Sequence, residues 1–232
     1  MKKSIVALLL FVGFINGHAQ VKSGVVAYSV VVTENKDSQL EKMMLSMNSN
    51  FYSIIKEFEF SLKFNKDKAL FLQEEKMYSD EAAAKLAAAK ISFLGNVLTK
   101  KDTVYREGAS RTIGNYIVKK QNVKNWTLSN ESKLIDNYLC YKATTENIVV
   151  NKDKTFRHPI IAWFCPQIPF PFGPAGYGGL PGLILELQTK DAVYGANKIQ
   201  LSQDDSIIAE LKRYKILEET QLNELIENKN SN

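Results

Sequence analysis

Pro159 to Gly182 reads PIIAWFCPQIPFPFGPAGYGGLPG and holds all six prolines and five of the twelve glycines of the chain. Proline fixes φ and removes a backbone donor, while glycine admits φ > 0, so this density specifies one non-repetitive backbone path. That path runs straight into the apolar strand Leu183-Ile184-Leu185-Glu186-Leu187. Any functional site is to be sought there first, although the window carries no catalytic constellation.

Short strands recur on both sides of the window. Upstream they fall at Gly24–Thr33, Thr103–Arg106, Arg111–Val118, Asn125–Leu128 and Leu139–Thr145, at its start at Ile160–Phe164, and downstream at Leu183–Gln188, Lys198–Ser202 and Tyr214–Leu217. Residues 57–64 alternate strictly, turn at Asn65-Lys66-Asp67-Lys68 and return through Ala69–Gln73, which is a β-hairpin with one wet face. Turn signals between strands at this spacing indicate an antiparallel meander.

Helical spacing appears in three places. Leu40, Met43, Met44, Met47, Phe51, Ile54, Ile55 and Phe58 follow a 3.6-residue period and predict one amphipathic helix over residues 38–56. Ser79 can cap an Ala-rich surface helix that ends at Gly95, and Thr220 a short helix through Glu227. The predicted fold class is α+β: a curved, half-open barrel-like antiparallel sheet of eight or more strands, with the long N-terminal-half helix and the short C-terminal helix packed on its concave face.

Lys2 and Lys3, an apolar run from Ile5 to Ile15, and Gly17-His18-Ala19 predict a signal peptide over residues 1–19. The run is too short to span a membrane, and no cysteine follows the expected cut to take a lipid. Residues 20–228 are expected to form a single domain and residues 229–232 a frayed tail. Without the leader the chain keeps 28 basic and 25 acidic residues, a net charge of +3 over 213 residues, with both signs interspersed. So mild a charge, without a clustered basic face or a recognition motif, argues against nucleic acid as a partner.

Gly179-Leu180-Pro181-Gly182-Leu183-Ile184 spells the signature of the GLPGLI family, and the likeness runs well beyond six letters. Trp126-Thr127-Leu128, Glu131, Lys133, Ile135, the run Tyr138 to Thr144, Ala162-Trp163-Phe164, Ile168-Pro169 and Gly173-Pro174 resemble the family's pattern in order and approximate spacing. The resemblance covers about residues 125–187. It implies a secreted envelope protein of Gram-negative bacteria, in the periplasm, at the outer membrane or outside the cell, and it implies no activity. The chain departs from the pattern at Cys165, where the family usually has a hydroxyl residue, and between Thr145 and Ile160. By fold analogy alone, the expected sheet is similar to periplasmic carriers of lipids and lipoproteins.

An even cysteine count in an exported chain invites one disulfide between Cys140 and Cys165, with two buried thiols as the alternative. Such a bridge closes a loop of about 25 residues, for which the chain-entropy model gives roughly 3.5 kcal/mol. The resemblance bears on it too, since Cys140 matches a family position whose partner is normally absent. His158 is the only histidine after the leader and stands without a nucleophile elbow or a second metal-binding histidine, so it reads as a surface or strand-end residue. Met43, Met44 and Met47 could ligate Cu(I) as soft thioethers, but their spacing is that of a core face, and no metal or other cofactor is expected.

The remaining candidates are Trp163, Phe164, Phe170, Phe172 and Tyr177, large side chains on stiff backbone that either line an apolar cleft or fill a buried crossover. The first reading makes the protein a non-enzymatic binding or accessory module for a lipid-like ligand or an outer-membrane protein. A hydrolase using carboxylates such as Glu131 or Glu186, and a structural protein docking by strand addition, are the rivals.

Overall fold

The computed structural model describes residues 21–32, 37–111, 113–122, 125–151 and 154–230. The expected leader, Thr33 at the end of the first expected strand and the last two tail residues lie outside them. In chain order the elements are β1 (Ser23–Val31), α1 (Gln39–Met47), α2 (Phe51–Glu57), β2 (Glu59–Asn65), β3 (Lys68–Gln73), α3 (Glu81–Lys90), β4 (Val97–Lys100), β5 (Thr103–Ser110), β6 (Gly114–Gln121), β7 (Thr127–Ile135), β8 (Tyr138–Asn151), β9 (Lys154–Cys165), β10 (Leu183–Gln188), β11 (Val193–Ser202), β12 (Lys215–Glu218) and α4 (Glu219–Asn230).

All twelve strands join one sheet in the order β12-β6-β5-β4-β3-β2-β1-β11-β10-β9-β8-β7. Every neighbouring pair is antiparallel except β12 with β6, which is parallel, so the sheet is mixed. The expected fold, a long helix packed on a half-open antiparallel barrel, is therefore corrected to a large mixed sheet with four short helices. Asn48-Ser49-Asn50 breaks the anticipated helix: Asn48 takes an extended conformation, its amide donates to Asp80 at 2.7 Å, and its carbonyl oxygen accepts the Asn50 backbone N–H at 2.8 Å. Asn side chains compete with the helix for backbone partners in this way. Of the methionines expected to pack as a stripe, only Met44 is buried, while Met43 and Met47 are exposed.

α3 is amphipathic: Glu81, Ala82, Lys85 and Ala89 face solvent, and its other side is buried. Asp80, not Ser79, caps it by accepting the Ala83 N–H at 2.9 Å, and Ala83 and Ala87 are fully buried where it packs on α2. α4 contributes Leu222 to a small cluster with Val118 of β6 and Leu217 of β12, at one edge of the sheet.

One face of the sheet carries the main core. Val26, Tyr28 and Val30 alternate inward on β1, as do Phe60, Leu62 and Phe64 on β2. Phe60 stacks on Phe71 at 5.3 Å, and Tyr194 meets both edge-on at 5.5 and 5.8 Å. Each such ring contributes about 2–3 kcal/mol on burial.

The opposite face of β1 to β5 is crossed by residues 203–214, which carry the chain from β11 to β12. Each strand underneath holds this strap by an outward side chain. Ser23 of β1 donates to the Asp204 carbonyl at 2.7 Å and Asn65 of β2 to the Ser206 carbonyl at 3.0 Å. Lys68 of β3 and Lys100 of β4 both bind Glu210, and the Glu107 carboxylate of β5 accepts the Lys212 N–H at 3.3 Å. Ile208 fills the space between, against Leu70 and Leu98.

Candidate functional site

β8 and β9 outrun their neighbours. β7 pairs with β8 only as far as Thr144, and β10 with β9 only from Ile161, so residues 145–151 of β8 and 154–160 of β9 form a two-stranded ribbon projecting from the sheet. One face of this ribbon presents Asn147, Val149, Phe156, His158 and Ile160 to a cleft of about 580 Å³. Arg106 of β5 and Lys120 of β6 stand on the other wall, beside Val104. Residues so distant in strand order share one cleft because the sheet curls across its width. The size lies within the usual range for small-molecule sites.

The Pro/Gly segment builds the floor. From Ile168 to Phe172 burial alternates: Ile168, Phe170 and Phe172 point inward, and Pro169 and Pro171 face solvent. Outward prolines present no N–H to a further strand, so the segment crosses the core without joining the ladder. Phe170 packs on Phe64 with ring centroids 4.8 Å apart. The chain then turns through Pro174–Gly176 and delivers Ala175, Gly176 and Tyr177 to the cleft. Hydrogen bonds fix the exit: Trp126 Nε1 donates to the Gly178 carbonyl at 2.9 Å, Leu183 N to Ile168 O at 2.9 Å, and the buried Tyr28 hydroxyl to Ile184 O at 2.6 Å.

The signature's glycines have separate reasons. A Cβ on Gly182 would sit 2.2 Å from the Cys165 carbonyl oxygen, which leaves no room for any side chain. Gly179 has φ +81° with open space around it, so only backbone conformation asks for glycine there. Leu180, Leu183 and Ile184 are buried and Pro181 is exposed.

The cleft is amphipathic and its charged groups are mainly cationic. Arg106, Lys120 and Lys190 line it together with His158, against the single carboxylate of Asp191, which accepts a hydrogen bond from Ser92 Oγ at 2.8 Å. Lys120 lies 3.6 Å from Glu219. Among the described residues no carboxylate lies within ion-pair distance of Arg106. Its charge acts on Tyr177, whose hydroxyl pKa is pushed up by burial and pulled back by the guanidinium.

Of the five aromatic candidates, the structure brings only Tyr177 into the cleft. Phe164, Phe170 and Phe172 are buried in the core, and Trp163 lies elsewhere, under the Lys133 ammonium at 4.5 Å. Glu131 and Glu186 do not line it. Glu131 holds Lys142 at 2.9 Å, which keeps its carboxyl below the ordinary range, and Glu186 holds Lys133 at 2.7 Å. Sequence reasoning missed Arg106, Lys120, Asn147, Phe156 and Lys190. The first two share a sheet face with Val104 and Val118, but amid neighbouring charges in the sequence they read as plain solvated surface until the opposite wall is known.

Cys140 and Cys165 are both fully buried free thiols, brought together at the base of the ribbon. Cys140 Sγ donates to the Tyr138 carbonyl at 3.6 Å; the interaction of the two thiols raises the pKa of Cys140, with burial adding to the rise, and lowers that of Cys165.

Comparison with known proteins centres on this same region. Residues 151–186 match the model of a family described as a protein of unknown function (Porph_ging). The matched segment is the ribbon's second strand, the Pro/Gly floor and the start of β10. No curated protein sequence matches the chain. Two solved structures of PNGF-II, in space groups P21 and C2, superpose with TM-scores of 0.51 and 0.50 at 12% and 16% identity, over 88% and 87% of this chain. This chain spans about a third of their length, 33% and 32%. At such identity the likeness is one of fold alone. No group of three or more metal-ligating side chains occurs among the described residues, and no helix among them is long and apolar enough to cross a membrane.

Proposed function

We propose that this chain is an exported, non-enzymatic binding module of the GLPGLI family, working in the periplasm or at the outer membrane, whose cleft holds an amphiphile with an anionic head. The leader pattern and the signature support the export and family readings. One observation carries the binding reading: a cleft of about 580 Å³ pairs cations, Arg106 foremost, with apolar walls from Val104, Phe156, Ile160 and Tyr177. A half-buried guanidinium with no carboxylate partner among the described residues asks for an anion, and the apolar walls ask for hydrocarbon alongside it. Glu131 and Glu186, the carboxylates named for the hydrolase alternative, are engaged by lysines and lie outside the cleft.

The test is calorimetric titration with a single-chain anionic phospholipid below its micelle concentration, beside its zwitterionic counterpart. The anionic lipid should bind more tightly. Arg106→Gln should weaken it about 10- to 100-fold, the loss of one hydrogen bond to a charged group, with the thermal midpoint unchanged. Failure of both lipids to bind, with no lipid-sized adduct in native mass spectrometry of protein taken from its own envelope, would refute the reading.

A further inference from the structure

The ribbon that walls the cleft has a second feature at its base, independent of what the cleft binds. Lys133 of β7 pairs with Cys140 of β8, and Leu183 of β10 with Cys165 of β9. Tyr141 stands opposite Phe164, so the antiparallel ladder places Cys140 opposite Cys165 one step further on. One row thus runs Lys133, Cys140, Cys165, Leu183 across four strands. Residues directly opposite in such a ladder have Cβ atoms about 4.5–5.5 Å apart, close to the span a disulfide bridges. Both thiols are shut away from solvent. Neither thiol has another cysteine to pair with, since the chain has two.

We propose that Cys140 and Cys165 form a cross-strand disulfide that closes the base of the β8–β9 ribbon. The oxidant is a disulfide, either glutathione disulfide or a thiol–disulfide oxidoreductase in its oxidised form. The Cys165 thiolate attacks one oxidant sulfur and expels the first thiolate, leaving a mixed disulfide. The Cys140 thiolate then attacks Sγ of Cys165 and expels the second. Two thiol protons pass to solvent or to the leaving thiolates, and two electrons reduce the oxidant's S–S bond. Because both sulfurs are buried in the finished fold, the reaction belongs to the folding chain, and the completed bond is shielded from reductants. The bond fixes the base from which Asn147, Val149, Phe156 and His158 reach the cleft.

The test uses wild-type protein secreted into an oxidising compartment and purified without reductant. Alkylation in denaturant, read by mass, should label no thiol before reduction and two afterwards. Two labelled thiols before reduction would overturn the proposal, and so would a covalent dimer on a non-reducing gel. Hydrogen exchange of amides 141–164 should quicken on reduction; equal exchange in the two states would overturn the role assigned to the bond. Both readouts stand apart from lipid binding, so either proposal can fail alone.

Discussion

Replacing Gly182 and Gly179 by alanine one at a time separates the two glycines of the signature. At 182 the new Cβ would lie 2.2 Å from the Cys165 carbonyl oxygen and 2.6 Å from its carbon, backbone atoms that cannot swing aside. The chain must move, and with it the Gly182 N–H bond to Leu180 O, the Leu183 N–H bond to Ile168 O, and the Leu183–Cys165 pairing. Overpacking costs about 1–3 kcal/mol and each of the two weakened hydrogen bonds about 1 kcal/mol, so Gly182→Ala should lose roughly 3–5 kcal/mol. At 179 nothing lies within 4 Å of the new methyl group, and the loss is the left-handed backbone penalty alone, about 1–2 kcal/mol. Asn tolerates that conformation, so Gly179→Asn should cost less than Gly179→Ala. Urea unfolding followed by circular dichroism measures the three variants, with thermal midpoints shifting about 2–4 °C per kcal/mol for a chain of this size. Equal losses at 179 and 182, or a near-neutral Gly182→Ala, would refute the close approach of backbone to backbone.

Two further outcomes can be checked on the same instruments. Tyr28→Phe leaves the buried Ile184 carbonyl without its 2.6 Å donor and should cost about 1–3 kcal/mol. Burial raises the Tyr28 pKa in the folded state, so its contribution is whole below the unfolded value near pH 10 and is lost as pH climbs above it; the variant should flatten that alkaline limb of the stability profile. Phe170→Ala should cost about 3–5 kcal/mol as a core truncation, whereas Phe156→Ala, on a side chain 44% exposed, should leave stability nearly unchanged and weaken lipid binding.

Most of the strands were legible because alternation and turn residues are local signals. The hairpin at 59–73 and the strands at 23–31 and 183–188 are within about two residues of their expected bounds. The helix over 38–56 misled for a reason equally local: its apolar period persists through Asn48-Ser49-Asn50, and only the capping chemistry of Asn48 ends it. β4 escaped because four residues, Val97–Lys100, carry too little pattern. β12 was expected at Tyr214–Leu217, but its parallel pairing with β6 and the course of the strap were beyond reach, since they depend on meetings with strands far away in sequence. Likewise Arg106 and Phe156 become neighbours only when the sheet curls.

The Pro/Gly segment unites core and site, and that shapes how its aromatic residues can be tested. Five residues, Ile168 to Phe172, alternate between solvent-facing prolines and buried apolar side chains, and the turn after them lays Tyr177 into the cleft. A polar substitution at Phe170 or Phe172 would abolish binding by dismantling the floor, and the loss would say nothing about ligand contact. Residues on the walls are different. Arg106 and Phe156 stand on strands whose ladders do not depend on those side chains, so their replacement leaves the floor standing. A variant that loses ligand and keeps its unfolding midpoint can therefore be sought on the walls, and the signature that first draws the eye is where such a variant should not be found.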